Sequence, residues 1–201
     1  MAPLVLPSPV GGVTTETVGL FDVPARTLAE WFRAGDPSLV LHSPGWDELE
    51  DATGDLAPTA VLTTRAFVPL RTWTVLLTNG PLGTDVGLLP SHATRALDCI
   101  SIRAVCADRS RHPYPAVVLE VYAPDGKEPL KVRRTIAAAN DGGRWVFEQT
   151  GEPFGFEHVD CYTVRRKADR FTPAMLHEYL GSLGVPLDTD PEWAGALTVV
   201  G

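Results

Sequence analysis

One stretch in the second half of this 201-residue chain, residues 115–150, constrains the fold more than any other. Apolar side chains alternate with other residues over Val117–Val121, as they do in a strand with one buried face. Pro124–Gly126 has the composition of a turn, and a second strand-like run follows over 130–139. These features predict two antiparallel strands joined by a short connection.

A stronger turn signal, Asn140–Gly143, follows the second strand and predicts a hairpin. The Asp-Gly pair inside it accepts the positive φ angles that a two-residue hairpin turn requires. With that pair as the loop, Ala138 lies opposite Trp145 and Ile136 opposite Phe147, so one face of the hairpin is apolar. Residues 115–150 therefore predict a three-stranded antiparallel meander.

Helix signals lie at both ends of the chain. A helix is predicted over 24–34, which starts at a proline and is followed by Gly35. Another is predicted over 173–183, where Thr172 is the N-cap and a proline is the first helical residue. A third, short helix is predicted over 91–98. The fold class is therefore α+β, with a mostly antiparallel sheet and two or three helices packed on it.

Further short apolar runs complete the predicted sheet. The order strand, helix, strand over 73–106 leaves room for one parallel pair of strands. We expect a loose N-terminal arm over 1–12, which is rich in proline and glycine, and a single domain over 13–201. The additional strands are predicted at 38–42, 60–67, 73–78 and 100–107, with a possible edge strand at 197–200.

Composition excludes several classes of protein. There are 17 Lys and Arg residues against 25 Asp and Glu, which gives a formal net charge of -8, so we do not expect nucleic acid as a partner. No apolar run is long enough to span a membrane, and the N-terminus lacks the pattern of a signal peptide. Cys99, Cys106 and Cys161 form no close pair, which favours reduced thiols in the cytoplasm and no metal. No cofactor and no catalytic residues are predicted, and the oligomeric state is left open.

The main candidate site lies within residues 43–58, which are predicted to form a loop. This segment holds five carboxylates and no lysine or arginine. It is either a solvated loop or a docking surface for a basic protein partner, with Trp46 at its edge as an anchoring contact. The predicted partner-binding residues are Trp46, Asp47, Glu48, Glu50, Asp51 and Asp55.

An alternative site is the glycine-rich loop over 79–92, which follows a predicted strand and precedes a short helix. Such a position can hold an anion on backbone N–H groups, although the loop has no phosphate-binding motif and no lysine. This site would serve a small-molecule-binding protein or an enzyme. Its predicted residues are Asn79, Gly83, Thr84, Asp85, Ser91 and His92.

These sites rank the functional hypotheses. The first is a non-enzymatic cytoplasmic binding protein, in the form of an inhibitor or immunity-type protein that neutralises a basic partner. Its link to immunity proteins rests on size, charge and fold class alone. The second is the ligand-binding protein or enzyme that uses loop 79–92. The third is a nucleic-acid-binding protein that uses the basic residues within 131–134 and 165–170.

Overall fold

The computed structural model describes residues 17–81, 84–107 and 114–201. Within these ranges the chain forms one sheet of nine strands, four α-helices and three short 3-10 helices. The strands are β1 (Thr17–Phe21), β2 (Val40–His42), β3 (Thr64–Leu70), β4 (Trp73–Thr78), β5 (Ser101–Ala107), β6 (Ala116–Lys127), β7 (Val132–Asn140), β8 (Trp145–Thr150) and β9 (Leu197–Val200). The α-helices are α1 (Ala25–Ala34), α2 (Leu49–Asp55), α3 (Leu89–Leu97) and α4 (Pro173–Ser182), and the 3-10 helices are Val159–Thr163, Lys167–Asp169 and Trp193–Gly195.

The strands follow the order β2-β9-β3-β4-β1-β5-β6-β7-β8, and each of these neighbouring pairs is antiparallel. The predicted α+β class and the antiparallel character of the sheet are therefore confirmed. The predicted parallel pair is wrong, because β1 lies between β4 and β5 and is antiparallel to both. β9 is not an edge strand, since it lies between β2 and β3 and pairs with both.

β7 and β8 form the predicted hairpin with a register two residues away from the predicted one. Ala138 lies opposite Phe147 rather than Trp145. The loop spans four residues instead of two, and the Asp141 N–H donates to the Arg144 carbonyl across it at 3.1 Å. A shift of two residues preserves the pleat, so the predicted apolar face is correct.

The turn predicted at Pro124–Gly126 is wrong. These residues lie inside β6, in an irregular stretch where Tyr122 and Lys127 both oppose Val132. Turn-forming residues thus produce a bulge within a long strand, and the chain reverses direction just after it.

The two faces of the sheet carry separate apolar cores. On one face, Phe21, Phe67 and Leu76 are buried under α1 and α3. On the other face, residues such as Val68 and Leu119 are buried with apolar side chains of α2, α4 and the segment that connects β8 to β9. Adjacent residues of one strand point to opposite faces, which is why Phe67 joins the first core and Val68 the second.

The three predicted helices are present as α1, α3 and α4, each within about two residues of the predicted start. At α4 the Thr172 hydroxyl accepts the Met175 N–H at 3.3 Å, so the predicted N-cap is confirmed. The described residues contain one helix more than the two or three expected.

This additional helix, α2, forms in the middle of the segment predicted to be a loop, so that prediction is wrong. The Asp51 carboxylate accepts the backbone N–H groups of Asp47 at 2.8 Å and Glu48 at 3.2 Å, which caps the first turn. Ala52 and Leu56, one helical turn apart, are buried in the core. Capping and this short apolar stripe together outweigh the mutual repulsion of the acids.

None of the helices within 17–81, 84–107 and 114–201 is long and apolar enough to cross a membrane. The predicted N-terminal arm over 1–12 lies outside the described residues.

Candidate functional site

The five predicted acidic residues fall into two groups with different roles. Asp51 caps α2, and the Asp55 carboxylate accepts the Trp46 indole N–H at 2.8 Å. Asp47, Glu48 and Glu50 are exposed on the same helix and its approach. The structure therefore uses two of the five carboxylates to shape the segment and leaves three directed toward solvent.

Trp46 lies in the core rather than at the surface. Its residue is only 3 % exposed, and its ring centroid lies 6.5 Å from that of Trp193. This contact fixes α2 to the segment that precedes β9. The ring is therefore not accessible to a partner, and we leave it out of the surface defined below.

The same tryptophan pair brings a second acidic segment beside α2, which the sequence did not suggest. Asp188, Asp190 and Glu192 are exposed just before Trp193. No lysine or arginine occurs in residues 34–64 or in residues 171–201. We define the acidic surface as Asp47, Glu48, Glu50, Asp51, Asp55, Asp188, Asp190 and Glu192.

The charge of this acidic surface is not neutralised by nearby cations in the described part of the chain. None of its eight carboxylates lies within 4 Å of a Lys, Arg or His nitrogen there. Carboxylates elsewhere do form such pairs, for example Glu120 with Arg103 at 3.3 Å. The acidic surface is thus a region of uncompensated negative potential.

Most of the alternative site is used to hold the glycine-rich loop in place. The Asn79 side chain accepts two backbone N–H groups of the segment that precedes β3. The Thr84 hydroxyl contacts the last carbonyl of β4, and the Ser91 hydroxyl donates to the Leu130 carbonyl at 2.7 Å. Gly83 lies outside the described residues. These polar groups are satisfied within the fold, which makes Ser91 a structural residue rather than a nucleophile.

The other two predicted residues, Asp85 and His92, line a cavity of about 360 Å³ beside α1. A second cavity of about 600 Å³ adjoins it, and both are lined by Trp31, Phe32 and Arg65. We call these two cavities together the Arg65 groove. The structure thus brings Asp85 and His92 together in a concave site, together with an arginine that sequence reasoning missed.

Arg65 projects from β3 into this groove. Its guanidinium carbon lies 4.7 Å from the centroid of the Phe32 ring, a cation–π contact. No carboxylate oxygen of the described residues lies within 4 Å of it, and none of them accepts a hydrogen bond from its guanidinium. Burial lowers the pKa of this guanidinium, although it stays charged at neutral pH.

A second arginine, Arg134 on β7, forms a buried network that we call the Arg134 clasp. All five of its N–H groups are used: two meet the Glu157 carboxylate at 2.6 and 2.9 Å, and the others meet Gln149 and the carbonyls of Thr150 and Gly151. These bonds fasten the chain that follows β8 onto the sheet.

Two tyrosines complete the Arg134 clasp. Tyr162 donates to Glu157 at 2.8 Å, because a carboxylate can only accept. The contact between the Tyr162 and Tyr179 hydroxyls at 3.2 Å must then be donated by Tyr179, whose oxygen also accepts the His158 N–H. Burial and these hydrogen bonds raise the pKa of Tyr162. The network is satisfied within the fold and presents no reactive group.

The basic residues predicted for nucleic-acid binding do not form one free cationic face. Arg134 is buried, and Lys131 lies 2.7 Å from Glu128. Arg133 approaches Asp125 at 3.8 Å and stacks on the Phe154 ring. Exposed cations remain around the 3-10 helix Lys167–Asp169.

Metal ligation and thiol chemistry find little geometric support. In the part of the chain that the structure describes, no group of three His, Cys, Asp or Glu side chains is placed to hold a metal ion. The His158 ring lies 2.9 Å from Glu178 instead. Burial, with the negative charge of Asp22, raises the pKa of Cys99 to about 11, so its thiol is a poor nucleophile.

Comparison of the chain with models of protein families, with curated proteins and with solved structures found no match.

Proposed function

We propose that this chain is a binding protein that docks a basic partner through the acidic surface. The observation that supports this proposal is the juxtaposition of two segments that lack lysine and arginine, held together by the contact between Trp46 and Trp193. Sequence position separates these segments by more than a hundred residues. Their meeting on one surface gathers eight carboxylates without local compensation.

Such a surface favours association with a protein of opposite charge in two ways. Its potential steers a basic partner during diffusion, which raises the association rate at low ionic strength. It also disfavours acidic competitors, because like charges brought together cost free energy. Both effects act mainly on rate and specificity, so the contact surface of the partner must add its own complementarity.

The rigidity of the acidic surface supports docking rather than simple solvation. The Asp51 cap and the bond from Trp46 to Asp55 fix α2 in one position before any partner arrives. A preformed surface loses less conformational entropy on binding than a flexible loop. The specific form that we favour is an inhibitor or immunity-type protein that covers a cationic substrate-binding face of a basic enzyme.

The test compares two triple variants with equal change of charge. Asp47, Glu48 and Glu50 are changed to Lys in the first, and the exposed Glu148, Glu152 and Asp160 are changed to Lys in the control. Proteins retained from a lysate of the source cells by the wild-type chain are identified, and each is then purified and measured separately. We expect one basic protein whose association slows with the first variant, with a weaker salt dependence, and changes much less with the control.

Two outcomes would overturn the proposal. One is that every retained protein binds the wild type and the first variant equally. The other is that the two variants weaken a basic partner equally, because that result would assign the effect to net charge rather than to the acidic surface.

A further inference from the structure

We propose that the Arg65 groove binds a small carboxylate that has an apolar body. The groove lies on the α1 and α3 face of the sheet, whereas the acidic surface belongs to the α2 face, so this inference is independent of the proposed function. Four features of the groove support it: the position of Arg65, the lack of an internal partner, the role of the nearby acids and the apolar walls.

The position of Arg65 is fixed by the sheet and by α1. Arg65 pairs with Thr78 of β4 on one side and with Val199 of β9 on the other, so its backbone is held within the sheet. Its guanidinium lies over the Phe32 ring. Stacking of this kind covers one face of the planar group and leaves the N–H donors at its edge, which is the arrangement that binds a carboxylate with two parallel hydrogen bonds.

Two acids line the groove, and both use a carboxylate oxygen to stabilise their own turns. Asp36 accepts the Ser38 backbone N–H at 2.9 Å and the Ser38 hydroxyl at 2.7 Å. Asp85 accepts the Gly87 N–H at 3.0 Å. Neither acid lies within 4 Å of the Arg65 guanidinium, so a half-buried cation faces the groove without a counter-ion from the described residues.

The walls on either side of Arg65 are largely apolar. Trp31 and Leu39 line the larger cavity, and Leu62 and Leu88 line the smaller one. Leu88 is 56 % exposed, which is unusual for a leucine that has no apolar cover. Arg65 lines both cavities, so a carboxylate placed on it has an apolar wall within reach on each side.

The dimensions of the groove favour a small molecule. The larger cavity, about 600 Å³, is in the range typical of ligand sites, which combine apolar walls with a few polar groups that fix orientation. A ligand with one carboxylate and an aromatic or branched aliphatic body satisfies both elements of the site. Its carboxylate neutralises Arg65, and its body covers Trp31 or Leu88.

The test uses defined probes followed by NMR spectroscopy of the full chain. The probes are 4-phenylbutyrate and octanoate, their amine counterparts 4-phenylbutylamine and octylamine, and acetate as a carboxylate without an apolar body. We expect saturable shifts of the Arg65 Nε–H and the Trp31 indole N–H with the two apolar carboxylates. Acetate and the two amines should bind at least about tenfold more weakly, because each lacks one of the two interactions.

Two variants, each with a matched control, separate the site from general effects of charge. Arg65→Gln removes the cation and should weaken binding of 4-phenylbutyrate by about tenfold or more, whereas Arg95→Gln removes an exposed cation of α3 and should leave it unchanged. Leu88→Glu adds an acid to the groove and should also weaken binding. Its control, Val159→Glu, changes an exposed valine that does not line the groove.

Three outcomes would overturn the inference. These are equal binding of carboxylates and amines, shifts that map away from Arg65 and Trp31, and unchanged binding in Arg65→Gln. If Arg65→Gln does not fold, Leu88→Glu decides the matter, because a change at a residue that is more than half exposed leaves the core intact.

Discussion

Two arginines on opposite faces of the sheet show how differently one fold can treat the same charged group. The Arg134 side chain is 1 % exposed, and all of its donors meet acceptors within the protein. The Arg65 guanidinium is half-buried against Phe32 and meets no acceptor among the described residues. A cation whose hydrogen bonds are complete belongs to the architecture, whereas one that is desolvated and unmatched is available for a ligand.

The difference follows from what lies above each residue. Arg134 lies beneath a segment that turns back over the sheet and supplies Glu157, and burial of both charges is favourable only because they satisfy each other. Arg65 lies beneath α1, which supplies an aromatic ring but no acid. Desolvation of a charge without full compensation costs stability, so the groove retains a cation that weakens rather than supports the fold.

The largest expected effect in this comparison is that of Arg134→Met. The change leaves the Glu157 carboxylate buried without a cation, so we expect a loss of about 3–5 kcal/mol in the free energy of unfolding, measured by urea denaturation. The control is Arg144→Met, whose side chain is 83 % exposed and should change stability by less than about 0.5 kcal/mol. A loss for Arg134→Met no larger than that of its control would show that the Arg134 clasp is not structural.

The acid stability of the Arg134 clasp gives the next prediction. Burial raises the pKa of Glu157, but hydrogen bonds from Arg134, Tyr162 and the Phe154 N–H outweigh it, so the pKa is lowered below its ordinary value of 4.5. A lowered pKa in the folded state means that this contribution is complete above about pH 4.5 and is lost as the pH falls through the folded value. Unfolding measured from pH 7 to pH 3 should show a smaller loss of stability in Glu157→Gln than in the wild type. An equal pH dependence for the two proteins would contradict this assignment.

An intermediate effect is expected for Tyr162→Phe. The change removes one of the hydrogen bonds to Glu157 and leaves the rest of the Arg134 clasp in place, so we expect a loss of about 1–2 kcal/mol in thermal or urea unfolding. Tyr114→Phe, at a tyrosine that is 60 % exposed, is the control and should be close to neutral. If Tyr162→Phe were also neutral, Arg134 alone would hold Glu157.

Sequence reasoning predicted elements whose signals are local. The ends of α1 and α4 follow from proline, glycine and threonine at fixed positions, and the hairpin between β7 and β8 follows from its turn. The register of that hairpin was wrong by two residues, because the bond between Asp141 and Arg144 closes a longer loop than Asp-Gly alone suggests. α2 was missed, because its acids were interpreted by their charge and not by the capping that Asp51 provides.

The two arginines were missed for different reasons. Arg134 was grouped with surface cations, although it is in phase with Ile136 and Ala138 on the apolar face of β7, a signal present in the sequence. Glu157, more than twenty residues away, has no local feature that identifies it as the partner. Arg65 likewise alternates with Phe67 toward α1, but only the three-dimensional packing shows that α1 supplies no acid.

The smallest expected effect completes the comparison. Arg65→Met keeps an apolar stem on the Phe32 ring and removes a half-buried cation that has no partner among the described residues, so the free energy of unfolding should stay within about 0.5 kcal/mol of the wild-type value or rise slightly. Urea denaturation at neutral pH, beside Arg134→Met in the same buffer, measures both arginines on one scale. A loss above about 1 kcal/mol would mean that the cation–π contact with Phe32 stabilises the fold, and the distinction between an architectural and an available arginine would then fail. A neutral result, together with loss of carboxylate binding in Arg65→Gln, would show that the groove retains this cation for its ligand, since the fold does not require it.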